Sequence, residues 1–216
     1  MKTVIVTGAS RGIGAAIARS LRVQGVRVVG LARSTDALRA MSMEKIGTAP
    51  FEYISGDVTD NRVLQSAVDL AVGNSKDHQL VGVVLNAAQL DPFKRVKDTD
   101  PVELKRHFDV NVCSQQSLTT LCLPHLRITN GRLVFVTSGI VDYPMVGWAA
   151  YASSKAAMNA FIKCLAKEEP KVISIAVKPG IVDTDMVRQS SSSPGVMDAQ
   201  GEQWLKSVRD GNGLLE

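Results

Sequence analysis

The chain has 216 residues, of which 45% are hydrophobic, 21% charged and 5% aromatic. That composition excludes wholesale disorder, a collagen-like repeat and a coiled coil, and the length suffices for one domain with a sizeable core that needs no metal or disulfide. Lys and Arg number 25 against 21 Asp and Glu, a formal charge of +4, and they are scattered in ones and twos rather than in the dense stripe of a nucleic-acid binder.

The start, Met1-Lys2-Thr3-Val4-Ile5-Val6-Thr7, passes from a charge into a short β-branched run. It lacks the apolar stretch and small-residue cleavage site of a signal peptide. No segment approaches the roughly 20 apolar residues that span a bilayer, so the expectation is a cytoplasmic protein with neither membrane nor nucleic-acid partners. Apolar β-branched runs then recur at 4–6, 26–31, 51–54, 81–85, 133–136 and 172–177, and stretches of helical periodicity lie at 15–23, 37–45, 61–72 and 156–167. This alternation predicts βαβ units in a doubly wound α/β fold, a parallel sheet covered on both faces, within one domain over 1–216. Cys113, Cys122 and Cys164 are odd in number without CxxC spacing, which favours buried apolar thiols over a disulfide framework or zinc site. The serines at 190–193, followed by Pro194 and Gly195, read as a loop.

The first strand runs directly into Thr7-Gly8-Ala9-Ser10-Arg11-Gly12-Ile13-Gly14, and a helical pattern begins at once. Glycines here let the chain turn tightly, bring backbone N–H groups against a pyrophosphate and pack a helix close to the sheet. The positive end of the helix dipole then faces the anion. An NAD site wants a carboxylate at the end of strand two, to bond the ribose hydroxyls. Arg33 stands there instead, in Val29-Gly30-Leu31-Ala32-Arg33-Ser34. A guanidinium pairs with a ribose 2′-phosphate that a carboxylate would repel, which favours NADP(H). Arg11 is a candidate for a second cation, and the competing acid, Asp36, is expected to cap the next helix.

Ser138 follows the fifth strand, and Tyr151 and Lys155 stand four apart in Tyr151-Ala152-Ser153-Ser154-Lys155. That spacing places them on one helix face. A tyrosine with an ordinary pKa near 10 needs help to exchange protons at neutral pH. An adjacent ammonium group and an oxidised nicotinamide would lower that pKa, while the serine hydroxyl holds the substrate oxygen. Between Ser138 and Tyr151, the residues Ile140, Val141, Tyr143, Pro144, Met145, Val146 and Trp148 are expected to supply a largely apolar pocket wall, with a lid over about 184–213. His78, His107 and His125 have no suitably spaced carboxylate or cysteine partner, and no catalytic role is expected of them. Trp204, Leu205 and Val208 repeat at helical spacing and read as a packing face.

The glycine spacing GxxxGxG, together with Ser138, Tyr151 and Lys155, resembles the short-chain dehydrogenase/reductase family, and the likeness runs from residue 2 to about 186. Asp57-Val58 is similar to the family's adenine-contacting pair. Asn86-Ala87-Ala88 is similar to its Asn-Ala-Gly, with Ala88 a departure that would disturb the loop if the glycine needs a positive φ. Asn111 matches the asparagine that completes an Asn-Ser-Tyr-Lys set and holds a water in a proton relay; read alone, it equally suits a buried polar group bonded to helix backbone. Pro179-Gly180-Ile181-Val182-Asp183-Thr184 matches the segment that contacts the nicotinamide carboxamide. The run 175–186 resembles fungal carbonyl reductases of the benzil reductase and sepiapterin reductase kind.

The resemblance implies a Rossmann-type three-layer αβα fold. It also implies NADPH-dependent reduction of a hydrophobic or aromatic ketone, such as the dicarbonyl benzil, by a homodimer or other homo-oligomer. Binding of NADP(H) without catalysis, in a regulatory protein, is the alternative from another class; an acyl-chain or steroid substrate is the alternative within the family. Family members continue past a lid and helix into a seventh strand. Here Gly211-Asn212-Gly213-Leu214-Leu215-Glu216 stops before one, which reads as a naturally short protein or a fragment and predicts an open edge at strand six.

Overall fold

The computed structural model describes residues 1–73, 78–182, 184–191, 195–209 and 214–215. Six strands, β1 (Lys2–Thr7), β2 (Arg27–Ala32), β3 (Phe51–Ser55), β4 (Gln79–Leu85), β5 (Arg132–Val136) and β6 (Ile173–Val177), form a parallel sheet in the order β3-β2-β1-β4-β5-β6. The expected strands are all present, and their alternation explains the layers. Ile5, Val29, Val83, Leu85, Leu133 and Phe135 face one core, against α3 (Asn61–Val72), α5 (Ser114–Thr129) and α6 (Ala149–Glu168). Val4, Val6, Val28 and Val84 face the other, against Ala15 and Ala18 of α1 (Gly12–Val23) and Leu38 and Met41 of α2 (Thr35–Met43). Strand β2 is buried along its whole length, as a central parallel strand covered on both faces must be. Each fully buried leucine or phenylalanine contributes about 1.5–3 kcal/mol.

The strand order reverses between β1 and β4, so the crossovers diverge there and leave a crevice at the carboxyl ends of the strands. The helices that follow are capped by their own sequence: Ser34 accepts from the Ala37 N–H, Asp60 from Arg62 N–H, and Asp100 from Val102 N–H at the start of α4 (Pro101–Phe108). Asp36 lies exposed in the first turn of α2. The capping expected of it falls to Ser34, because α2 starts two residues earlier than its apolar periodicity does.

Three other expectations are corrected. Only Cys122 is buried, and its thiol is pushed by desolvation up to about 12; Cys113 and Cys164 are exposed, since their positions turn away from the sheet. The start of the expected lid loop is helical, as α7 (Asp185–Ser191), and α8 (Ala199–Arg209) follows, with residues 192–194 outside the described part. Leu214–Leu215 form a short strand, β8, parallel to β7 (Ile181–Val182) and separate from the main sheet; two residues are too few to register as periodicity. Among the described residues, β6 ends the strand order, the open edge expected there, and its Ile173, Ile175 and Val177 side chains are exposed. Among the described residues, no helix is long and apolar enough to cross a membrane.

Candidate active site

A cleft of about 1110 Å³ opens over the β1/β4 crevice. One end of it is built by absence of side chains. Gly8 and Gly12 have φ of +65° and +54°, and a Cβ on Gly14 would lie 2.3 Å from the Gly8 carbonyl oxygen. A Cβ on Gly8 would lie 2.7 Å from Asn86 Nδ2. Asn86 donates from that atom to the Thr7 carbonyl at 2.9 Å, stitching the ends of β1 and β4 together. Helix α1 begins here with no side-chain cap and no acid in its first turn. Its N-terminal N–H groups, unlike those of α2 to α4, are therefore available to an anion. This open, uncapped cradle fits a pyrophosphate.

The expected cofactor contacts fall on this cleft. Gly8, Ser10, Arg11, Gly12 and Ile13 line it from the glycine loop, with Gly14 supporting them from behind. Arg33, Asp57, Val58 and Asn86 line it from the ends of the next strands, and Pro179, Gly180, Ile181 and Thr184 from the segment after β6; Asp183 is outside the described residues. The Arg33 guanidinium has no hydrogen-bond or ion-pair partner among the described residues. Arg11 differs, because its Nη1 pairs with Asp185 Oδ2 of α7 at 2.6 Å. Burial acts to raise the Asp57 carboxyl, but bonds from Thr59 and the Arg106 guanidinium outweigh it and hold the group below the usual carboxylate range. Ala88 has no positive φ, since Asn130 is the one non-glycine residue with that conformation among the described residues, so the condition under which its methyl group would strain the loop is not met.

The other end of the cleft carries Ser138, Tyr151 and Lys155. Ser138 sits between β5 and a 3₁₀ turn, Gly139–Val141, whose Ile140 N–H it caps at 3.2 Å. Tyr151 and Lys155 share the inner face of α6 and are both buried, with Lys155 Nζ donating to the Val136 carbonyl at 2.8 Å and lying 5.4 Å from the Tyr151 ring centre. Burial pushes the Tyr151 phenol up to about 12, against the bond from Ser138, and pushes Lys155 down to about 8. For Tyr151, burial thus acts against the lowering expected from an ammonium and an oxidised nicotinamide together. Desolvation of the phenolate outweighs the bond from Ser138, and Tyr151 is held as a neutral phenol, the proton-donating form.

Asn111 lies in a π-helical turn, Asp109–Cys113, between α4 and α5. It is fully buried behind the cleft wall, where it bonds Gln89 backbone, His107 and Ser154. Ile140, Tyr143, Met145 and Trp148 line the cleft beyond Tyr151, whereas Val141, Pro144 and Val146 do not. Met186, Val187 and Trp204 face the same space. Leu205 packs with Phe93, Trp148, Tyr151 and Met197 in an apolar cluster beneath, so the expected packing face exists for Leu205 while Trp204 turns to the cleft; the Val208 side chain is outside the described part.

A family model for the short chain dehydrogenases matches residues 2–195. The chain belongs to the short-chain dehydrogenase/reductase family. This dehydrogenase/reductase is 40% identical to the uncharacterized oxidoreductase YIR035C of Saccharomyces cerevisiae, over 100% of this chain and 85% of that one. The crystal structure of YIR035C superposes with a TM-score of 0.92 at 37% identity, covering 98% and 84% of the two chains. The present chain is also 37% identical to the S. cerevisiae benzil reductase ((S)-benzoin forming) IRC24, over 90% of this chain and 76% of the relative. An alcohol dehydrogenase from the archaeon Thermococcus sibiricus, solved in complex with 5-hydroxy-NADP, matches with a TM-score of 0.80 and 28% identity, over 97% and 89% of the chains. The protein is thus an oxidoreductase of a family that uses nicotinamide cofactors.

Several neighbours of the site escape sequence reasoning. His107 is fully buried against Asn111, Ser154 and the Tyr151 ring. Its four-residue spacing to Asn111 is the signal the sequence carries, hidden because neither partner is a carboxylate or a cysteine. Asp185, which takes Arg11, and Gln189, which donates to Asp91 Oδ1 at 2.7 Å, come from α7 and carry no local signature. His78 is half-buried beside residues 74–77, which lie outside the described part, and His125 is half-buried in α5.

Proposed function

We propose that this protein uses NADPH to reduce a hydrophobic or aromatic ketone, with dicarbonyls such as benzil the favoured class. The observation that carries this is one cleft holding an uncapped glycine cradle at one end and Ser138, Tyr151 and Lys155 at the other. A nicotinamide bound between them supplies the hydride. The protein's part is to bind, orient and protonate. The glycine loop and the α1 N-terminus hold the pyrophosphate, and Arg33 the ribose 2′-phosphate, with Arg11 beside it. Asp57 and Val58 bracket the adenine end. Asn86, Pro179, Gly180, Ile181 and Thr184 border the nicotinamide end.

At the reacting carbonyl, Ser138 holds the oxygen by its hydroxyl and Tyr151 gives it a proton. The high pKa of the buried phenol keeps that proton in place until a better base arrives. Lys155 uses one N–H on the Val136 carbonyl and keeps two for the nicotinamide ribose and for reprotonating Tyr151; Asn111 supports that exchange from behind. The apolar wall of Ile140, Met145, Trp148 and Met186 favours an aromatic or aliphatic flank on the substrate. The benzil reductase named among the relatives fits this chemistry. We further place the activity in the cytoplasm, in a homo-oligomer whose chains each form one domain over 1–216 with a lid over about 184–213.

The test is NADPH oxidation with benzil, aryl ketones and pterin carbonyls, with NADH in parallel, on the wild-type chain and Tyr151→Phe. Turnover of a diketone preferring NADPH, falling about 10²- to 10⁴-fold in the variant, is expected. NADPH binding with no turnover across the panel would instead assign a regulatory binding role.

A further inference from the structure

We propose that His107 is a positioning residue of this site, a neutral imidazole that fixes Asn111 and the Tyr151 face of α6 in one arrangement. The proposal rests on the carbonyl-reductase reading for its kinetic consequences, and on the hydrogen-bond network alone for its structural ones.

The protons of the network can be assigned from their partners. Asn111 Oδ1 accepts from the Gln89 N–H at 2.9 Å, which fixes the amide's orientation. Its Nδ2 then donates one hydrogen to the Gln89 carbonyl at 2.9 Å. The other points at His107 Nε2, also 2.9 Å away, with Ser154 Oγ at 3.3 Å. Ser154 spends its own proton on the Tyr151 carbonyl at 2.8 Å, so it has none for His107, 3.1 Å distant. On the far side of the ring, Nδ1 is 2.6 Å from the Asp91 carbonyl, which can only accept. One tautomer satisfies all of this: Nδ1 carries the hydrogen and Nε2 is a bare acceptor.

The ring joins three segments distant in sequence. It holds the loop after β4 through Asp91, and the π-helical turn through Asn111. It meets α6 through Ser154 and an edge-to-face contact with Tyr151 at 6.3 Å. Tyr151, Ser154 and Lys155 lie three and four residues apart on that helix, so a clamp on Ser154 and the phenol ring sets the position of the whole reacting face. The titratable and charged groups that face the imidazole are Asp91 from the loop and Tyr151 and Lys155 from α6. Desolvation lowers its pKa and the Lys155 charge adds to this, against the bond to the Asp91 carbonyl, the Asp91 charge and a weaker backbone bond at Ala150 of α6. A proton on Nε2 would set N–H against the N–H of Asn111, so acid opens the clamp.

Two variants and one spectrum test this on the full chain with NADPH and benzil. His107→Phe keeps a ring against Tyr151 and loses both nitrogens; kcat is expected to fall about 10- to 100-fold, as small misplacements of reacting groups do, with KM for benzil unchanged. His107→Gln returns an acceptor to Asn111 and is expected to recover most of that loss, with the acid limb of the kcat profile displaced. In ¹⁵N spectra at neutral pH, the wild-type ring should show a protonated Nδ1 and an unprotonated Nε2. Wild-type kcat in His107→Phe, equal losses in both variants, or a hydrogen on Nε2 would each overturn the proposal. Absence of wild-type turnover strikes the carbonyl-reductase reading instead, and the tautomer then decides the clamp by itself.

Discussion

The two ends of the cleft are made by opposite means. The glycine end works through what is missing: no Cβ at residues 8, 12 and 14, no side-chain cap on α1, and no partner for the Arg33 guanidinium among the described residues. The Tyr151 end works through crowding, with a phenol, an ammonium and an imidazole buried together and every polar atom of Asn111 engaged. A site for a bound anion needs accessible donors, whereas a site for proton transfer needs groups whose pKa values are moved by burial. The first has no room for an added atom at Gly8 or Gly14, and the second depends on each of its bonds.

The sharpest way to break this contrast is to add one methyl group. Gly14→Ala places a Cβ 2.3 Å from the Gly8 carbonyl oxygen, too close for backbone to absorb, and should abolish NADPH binding in a fluorescence titration. Retained affinity would mean that the cradle is not shaped by its glycines. Next in size is Arg33→Ser. Loss of a charge-assisted contact should weaken NADPH about 10- to 100-fold and leave NADH unchanged, and an equal loss for both cofactors would remove Arg33 from the phosphate site.

The crowded end is probed by pH. Lys155 in the native chain releases its proton near 8, whereas in the unfolded chain it keeps it to 10.5. Between these values the unfolded state binds more protons, so stability rises with pH. Tyr151 acts oppositely, but only above about 10, where the unfolded phenol ionises and the native one, at about 12, does not. The melting temperature should therefore carry a gain from pH 8 to 10 that Lys155→Met lacks; identical profiles would show that burial does not govern this lysine. The smallest effect is expected from Ala88→Gly. Because Ala88 has no positive φ, NADPH affinity should be unchanged, with a stability loss of about 0.4–1 kcal/mol from the freer unfolded chain.

The same contrast explains what could be read before folding. The glycine end is contiguous, from Thr7 to Gly14, and its chemistry follows from residue type and spacing. Ser138, Tyr151 and Lys155 were legible because a strand end and a helical turn hold them at fixed offsets. His107 was not, for its partners Asp91 and Ser154 lie 16 and 47 residues away. Nor was the direction in which the Tyr151 pKa moves: spacing reveals a neighbouring charge, but only the packed fold reveals how much water has been removed. Cys113 and Cys164 fail for the same reason, since residue type alone does not tell which side of a helix meets the sheet.

The ion pair between Arg11 and Asp185 links residues 174 apart in sequence, across the mouth of the cleft, with the two side chains 72% and 50% exposed. An exposed pair of this kind is weak and is screened further as ionic strength rises. It latches α7 onto the glycine loop without locking it. The expected consequence is a residence time in the cleft that shortens as salt rises, read by dissociation rates at low and high ionic strength.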